Sequence, residues 1–206
     1  MKRTITLLLA LLACTGLWAD DISFSALSSS VSLQEGRRSV TLTGEAEVTV
    51  DSLTISADSI TIEGDDYDRI TCSGSVTAAD SQRGLSIRTG SVFYDRTAER
   101  LLISTWCEIS DSGNELVASA GALTFDMANE VLELEMDVNL VKNTSSGILS
   151  ATAQSVVFDR NADTLVLSGG AQVNWNSDDY SASVITIDLD SERISLSGRI
   201  GGTVHG

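Results

Sequence analysis

Residues 40–64, VTLTGEAEVTVDSLTISADSITIEG, alternate apolar and polar positions almost without interruption. Val40, Leu42, Gly44, Ala46, Val48 and Val50 share one parity, and the residues between them are Thr or Glu. Such alternation predicts strands buried on one face. The same rhythm places Ile70, Cys72, Gly74, Val76 and Ala78 on one side, and later Leu165, Leu167, Gly169, Ala171, Val173 and Trp175. From residue 20 onward no stretch carries a convincing apolar period of 3.6 residues, so helices are not expected. The absence of proline suits long hydrogen-bonded ladders, because proline cannot donate to them.

The rhythm is organised into repeats. A strand-like unit recurs around Gly44, Gly74, Thr105, Met136, Gly169 and Gly198, anchors spaced by 30, 31, 31, 33 and 29 residues. A second signature falls between them. Tyr94-Asp95 leads to Glu99 and Leu101, Phe125-Asp126 to Glu130 and Leu132, Phe158-Asp159 to Asp163 and Leu165, and Ile187-Asp188 to Glu192 and Ile194. Each unit therefore reads as strand, polar turn, strand, polar turn. One unit cannot bury its apolar face alone, whereas stacking on neighbours makes the face continuous. The expectation is an all-β chain: one antiparallel sheet over residues 40–206, rolled or folded over a single apolar interior. Residues 20–39 are expected to form a loose arm or an imperfect first strand. The recurrent glycine marks a bulge where strands bend or a tolerated small residue; Thr105 and Met136 show that glycine is not obligatory.

The beginning of the chain has a different character. Lys2 and Arg3, the short run Ile5–Ala13 and a small residue at Ala19 have the layout of a secretory signal peptide over residues 1–19. The apolar run is too short to span a bilayer as a helix. An alternative is lipid attachment at Cys14, since Leu11-Leu12-Ala13-Cys14 has the form of a lipobox with a large Leu12. Loss of Lys2 and Arg3 takes the formal charge from −16 to −18 and leaves Lys142 as the one remaining lysine. A chain this acidic has no electrostatic footprint for nucleic acid or for anionic headgroups. An amphiphilic ligand would be held mainly by its apolar part. Cys72 and Cys107 would meet an oxidising compartment, but they occupy offset positions on neighbouring units, which disfavours a bridge.

Catalytic chemistry is not visible. The single histidine, His205, is penultimate, which removes Ser-His-Asp and Cys-His schemes and histidine-based zinc sites. Asp65-Asp66-Tyr67-Asp68 and Asp178-Asp179 fall in predicted turns, where aspartate supports the turn and stays solvated. Residues 198–202, GRIGG, lack the following helix and lysine of a phosphate cradle. Trp106 and Trp175 differ in placement relative to their anchors, and the core is the default location for either. No catalytic residue, metal site or cofactor is expected.

The stretch GEAEVTVDSLTISADSITIEGDDYDRITCSGSVTAAD resembles the OstA-like domain of the periplasmic lipopolysaccharide-transport proteins, the LptA family. The residues that carry the resemblance are Gly44, Val48, Val50, Leu53, Ala57-Asp58, Ile60, Ile62, Ile70, Gly74 and Val76, with looser copies at residues 116–125 and 149–158. The resemblance implies an open antiparallel β-jellyroll whose slit-like interior holds acyl chains. It also implies protomers that dock edge to edge as head-to-tail oligomers, with themselves or with other lipid-transport jellyrolls, in the periplasm. The cargo would be lipopolysaccharide or a related envelope glycolipid. The implied lining is Val48, Val50, Ile55, Ile60, Ile62, Val76, Ile87, Phe93, Ile103, Ile109, Phe125, Leu134 and Val138. Two alternatives stand beside this reading: a structural or adhesive surface β-solenoid with a closed dry core, and a lipid-anchored accessory protein of the same transport system.

Overall fold

The computed structural model describes residues 22–34, 36 and 38–205. The expected leader and Cys14 lie outside them. Among the described residues there are sixteen strands and no helix. Strands β1 (Ile22–Ser25) and β2 (Ser28–Ser32) precede β3 (Ser39–Val50), β4 (Leu53–Glu63), β5 (Arg69–Asp80) and β6 (Leu85–Asp95). The next two lines of the sheet are each broken in the middle. One consists of β7 (Arg100–Ile103) and β8 (Cys107–Asp111), the other of β9 (Leu116–Ala120) and β10 (Ala122–Asp126). After them come β11 (Val131–Thr144), β12 (Gly147–Asp159), β13 (Thr164–Trp175), β14 (Asp178–Asp188) and a split last line, β15 (Arg193–Ser197) with β16 (Gly201–Thr203).

Successive lines pair as a meander in one sheet, and the pairings are antiparallel. A β-helical solenoid would stack parallel rungs instead, so the solenoid alternative falls. The sheet is not closed: β1 and β2 border it at one end, β15 and β16 at the other. The architecture is an open antiparallel β-jellyroll.

What folds this sheet over is a row of irregularities aligned across it. The register shifts at Thr43/Ala46, Ser73/Val76, Glu135/Val138 and Ser168/Ala171. Between those residues lie pairs with positive φ: Gly44-Glu45, Gly74-Ser75, Met136-Asp137 and Gly169-Gly170. These are the sequence anchors, and each is a bulge that bends its strand and strengthens the local twist. At Thr105 and Gly198 the line breaks outright, between β7 and β8 and between β15 and β16. On the intervening lines the inward positions skip two residues at the bend. Ala57 is followed inward by Ile60, Ala120 by Leu123, Ala153 by Val156 and Ala182 by Ile185. The result is a crease dividing the sheet into two leaves.

The first leaf contains the N-terminal halves of β3, β5, β11 and β13, the C-terminal halves of β4, β6, β12 and β14, and β2, β7, β10 and β15. The complementary halves, with β1, β8, β9 and β16, make the second leaf. Inward side chains of both leaves join one hydrophobic cluster, with Ile60, Phe125 and Phe158 from the first and Val48, Ile87 and Leu149 from the second. Full burial of such a side chain contributes about 1.5–3 kcal/mol. The fold is thus a single sheet packed against itself.

The second sequence signature is the outer turn. Oδ1 of Asp95, Asp126 and Asp188 accepts a hydrogen bond from the backbone N–H three residues on, at Ala98 (3.0 Å), Asn129 (3.0 Å) and Ser191 (2.8 Å). Asp159 accepts from Asn161 and Ala162. The residue four after each aspartate, Glu99, Glu130, Asp163 or Glu192, has positive φ. These are aspartate-supported turns, whereas Asp178 and Asp179, expected in a turn, begin β14.

Candidate functional site

Among the described residues, the buried apolar side chains gather in the space between the leaves. Twelve of the thirteen side chains expected to line it lie in that cluster. Ile60, Ile62, Ile103, Phe125 and Leu134 belong to the first leaf; Val48, Val50, Ile55, Val76, Ile87, Ile109 and Val138 belong to the second. Phe93 does not join them. The inward parity of β6 changes at the crease from Leu85 and Ile87 to Val92 and Tyr94, which turns Phe93 to the opposite face. Trp175 is core, with Nε1 donating to Thr144 Oγ1 at 3.1 Å, whereas Trp106 stands exposed at the break between β7 and β8. Cys72 and Cys107 are both buried and free. Burial pushes the Cys72 thiol up to about 12 and the Cys107 thiol up to about 11.

The interior has unequal margins. Along the crease, strands run continuously from one leaf to the other in β3–β6 and β11–β14. Along the opposite margin the leaves meet through their turns, and charged side chains tie them together. Arg83, in the turn after β5, donates from Nε to Glu130 Oε1 at 2.5 Å and from Nη2 to the Met127 carbonyl at 3.1 Å, both in the turn of the other leaf. Arg160, in the turn after β12, donates from Nε to Asp111 Oδ2 at 2.8 Å and from Nη2 to the Arg83 carbonyl at 2.8 Å. Its Nη1 donates to Glu130, so both arginines hold that carboxylate. Farther along, Lys142 Nζ lies 3.9 Å from Asp163 and Ser145 donates to Glu192.

The innermost of these groups are strongly screened from water, whereas Arg83 and Glu130 are about one-fifth exposed and the Ser145–Glu192 contact is open to solvent. Side-chain exposure is 0% for Asp111, 2% for Asp80 and 9% for Arg160. Burial favours the neutral form of Asp80, but hydrogen bonds from the Arg83 side chain and backbone and from Ser52 outweigh it and hold the carboxyl below its ordinary range. Burial raises Asp163 above its ordinary range, with Lys142 opposing and Asp190 and Asp188 reinforcing the shift. Asp80, Asp111 and Lys142 were missed by the sequence reading. The available signal was parity: Asp80 continues the inward series Ile70, Cys72, Val76 and Ala78, at the strand's end.

Two openings interrupt the margin and the end of the interior. Near the N-terminal end, Val50, Leu53, Tyr94 and Met127 floor a gap of about 300 Å³. Asp51, Ser52, Gln82, Arg83, Arg96 and Glu99 surround it. At the C-terminal end, Trp175 and Tyr180 face Ile194 and Leu196 across an opening of about 320 Å³. Ile200 and Val204 do not share a face with Ile194 and Leu196. The break at residues 198–200 interrupts the alternation, and both side chains are exposed. The N-terminal edge also presents apolar side chains, Phe24, Leu27, Val31 and Leu33.

Among the described residues no group of three or more His, Cys, Asp or Glu is placed to hold a metal ion. No helix among them is long and apolar enough to cross a membrane.

No curated protein matches the sequence. Among solved structures, the chain is similar to the crystal structure of LptH, described as the LptA homologous periplasmic component of the conserved lipopolysaccharide transport device from Pseudomonas aeruginosa. The two share 12% identity over 91% of this chain and 96% of that one, with a TM-score of 0.32. Residues 26–193 match the family model described as LptA/(LptD N-terminal domain) LPS transport protein. That match runs from the loop after β1 to the start of β15, and so the chain belongs to the LptA/LptD N-terminal domain family of lipopolysaccharide-transport proteins.

Proposed function

We propose that this protein is a non-enzymatic periplasmic carrier or bridge that holds acyl chains of lipopolysaccharide, or of a related envelope lipid, between its two leaves. The observation that carries the reading is the combination of one continuous apolar interior with a sheet that never closes. Side chains fill the interior, so lipid enters by parting the leaves. Val48, Val50, Ile55, Ile60, Ile62, Val76, Ile87, Ile103, Ile109, Phe125, Leu134 and Val138 then exchange contacts with each other for contacts with acyl chains. That exchange is nearly neutral in hydrophobic energy, because apolar surface stays out of water throughout.

The open edges supply the rest. An unpaired edge strand is an aggregation hazard unless a partner strand covers it, and β-augmentation turns such an edge into an assembly surface. Head-to-tail contacts between β1–β2 of one copy and β15–β16 of the next are heterologous, and build open chains wherever their rotation does not close a ring.

The test is mass spectrometry of organic extracts from protein gently purified from a bacterial periplasm, beside sedimentation of the full and truncated chains. Acylated glycolipid should accompany the protein in near-stoichiometric amount. Removal of residues 194–206 should shorten the oligomers while keeping the β-type circular dichroism. An extract without lipid, together with oligomers indifferent to the truncation, would sink the proposal.

A further inference from the structure

The gap near the N-terminal end and the charged ties beside it share a residue. Arg83 borders the gap, and the same guanidinium reaches across the margin to Glu130. Met127 is shared as well: its side chain floors the gap, while its carbonyl accepts from Arg83. Separation of Arg83 from Glu130 would therefore widen the gap and release the turn that bounds it. Arg160 holds Glu130 from the other side and is itself anchored on Asp111, so Glu130 is the common carboxylate of the tie.

The chemistry of the gap fits a chain with a polar head. Val50, Leu53, Tyr94 and Met127 are all buried members of the interleaf cluster, so the floor of the gap is the edge of the core itself. Its rim carries both signs of charge, from Arg83 and Arg96 against Asp51 and Glu99. About 300 Å³ lies at the small end for ligand sites. That is room for one acyl chain rather than for a many-chained lipid.

We propose that this gap is a lateral port through which a single acyl chain first slips between the leaves, and that Glu130, gripped by Arg83 and Arg160, is the latch that keeps the margin shut beside it. The proposal rests on the reading that the interior holds acyl chains, and adds where they enter. Rupture of the latch is costly but local. Glu130 is part-buried, with 21% of its side chain exposed, so losing it weakens the tie by less than loss from a fully buried pair would, while Arg83 keeps Asp80 and Arg160 keeps Asp111.

Stopped-flow uptake of pyrene-labelled hexadecanoic acid by the full chain tests it. Glu130→Gln should speed uptake about tenfold, in keeping with the loss of a part-buried carboxylate shared by two arginines, with the final amplitude unchanged. Gln82→Trp places a large ring at the rim while leaving its backbone bond to Asp80 intact, and should slow uptake severalfold. Ile185→Val, a core change in the first leaf away from the margin, supplies the control for general loosening. Equal rates in wild type, Glu130→Gln and Gln82→Trp would overturn the port while leaving lipid binding in place. Acceleration by Ile185→Val as large as that by Glu130→Gln would overturn the latch. Absence of uptake by the wild type would remove the lipid-binding reading and the port with it.

Discussion

Gly121 and Met136 compete for one space: a Cβ built on Gly121 would lie 2.8 Å from the Met136 Cβ. The relation recurs along the crease with the roles reversed. A Cβ on Gly169 would lie 2.6 Å from the Gln154 Cβ, one on Gly74 would collide with Asp58, and one on Gly198 with Ser183. At each of these crossings one side chain must be absent for the other to lie across the bend. Met136 stands at an anchor without glycine because its neighbour Gly121, having no side chain, leaves the space free.

Exchange of the two residues follows as a test. Gly121→Leu should destabilise by about 1–3 kcal/mol through overpacking. Met136 has φ near +65°, a conformation that glycine adopts without strain. Gly121→Leu combined with Met136→Gly should therefore recover most of the loss. Urea midpoints of the four proteins give the coupling, and additive losses would show that the two sites are independent.

The ties across the margin make a second prediction. Arg160→Met leaves Asp111 buried without its guanidinium, and should lower stability by about 3 kcal/mol. Arg160→Met with Asp111→Leu removes the buried charge left unpaired and should recover part of the loss, the remainder reflecting the bonds of Arg160 to Glu130 and of Asp111 to Asn114. Denaturant unfolding would show the recovery or its failure.

Acid should weaken the fold. Asp80 is held below its ordinary range, so its contribution is complete above the unfolded value near pH 4 and fades as pH falls through the lower folded value. Asp163, whose carboxyl is raised, works in the opposite sense and gains stability on acidification. Asp80→Asn should flatten the acid limb of a plot of urea midpoint against pH, and Asp163→Asn should steepen it.

The two thiols report opening. Cys72 lies in the first leaf and Cys107 in the second, both buried with thiols raised to about 12 and about 11. Only thiolate reacts with disulfide reagents, so at pH 8 the native protein should label slowly and the unfolded protein at once. Fast labelling of either cysteine without denaturant would show that the leaves part readily at that position.

Alternation along the chain determined the strands, because a residue's parity fixes its face and an apolar face must be covered. Val48, Ile70 and Leu167 could be assigned to the interior for that reason alone. Recurrent Asp-to-Glu signatures determined the turns, since an aspartate caps its own loop through neighbouring N–H groups. The anchors marked the bends but not their geometry. Phe93 went to the other face because β6 changes parity at the crease, and that change depends on its partners' bulges. Only the tertiary structure decided that Arg83, Glu130, Arg160 and Asp111 meet, because those contacts join turns 30 to 49 positions apart, and the Arg83–Glu130 and Arg160–Asp111 contacts cross from one leaf to the other. Local pattern records which side of a strand is buried; it carries no distance between turns that approach each other only once the sheet has folded over.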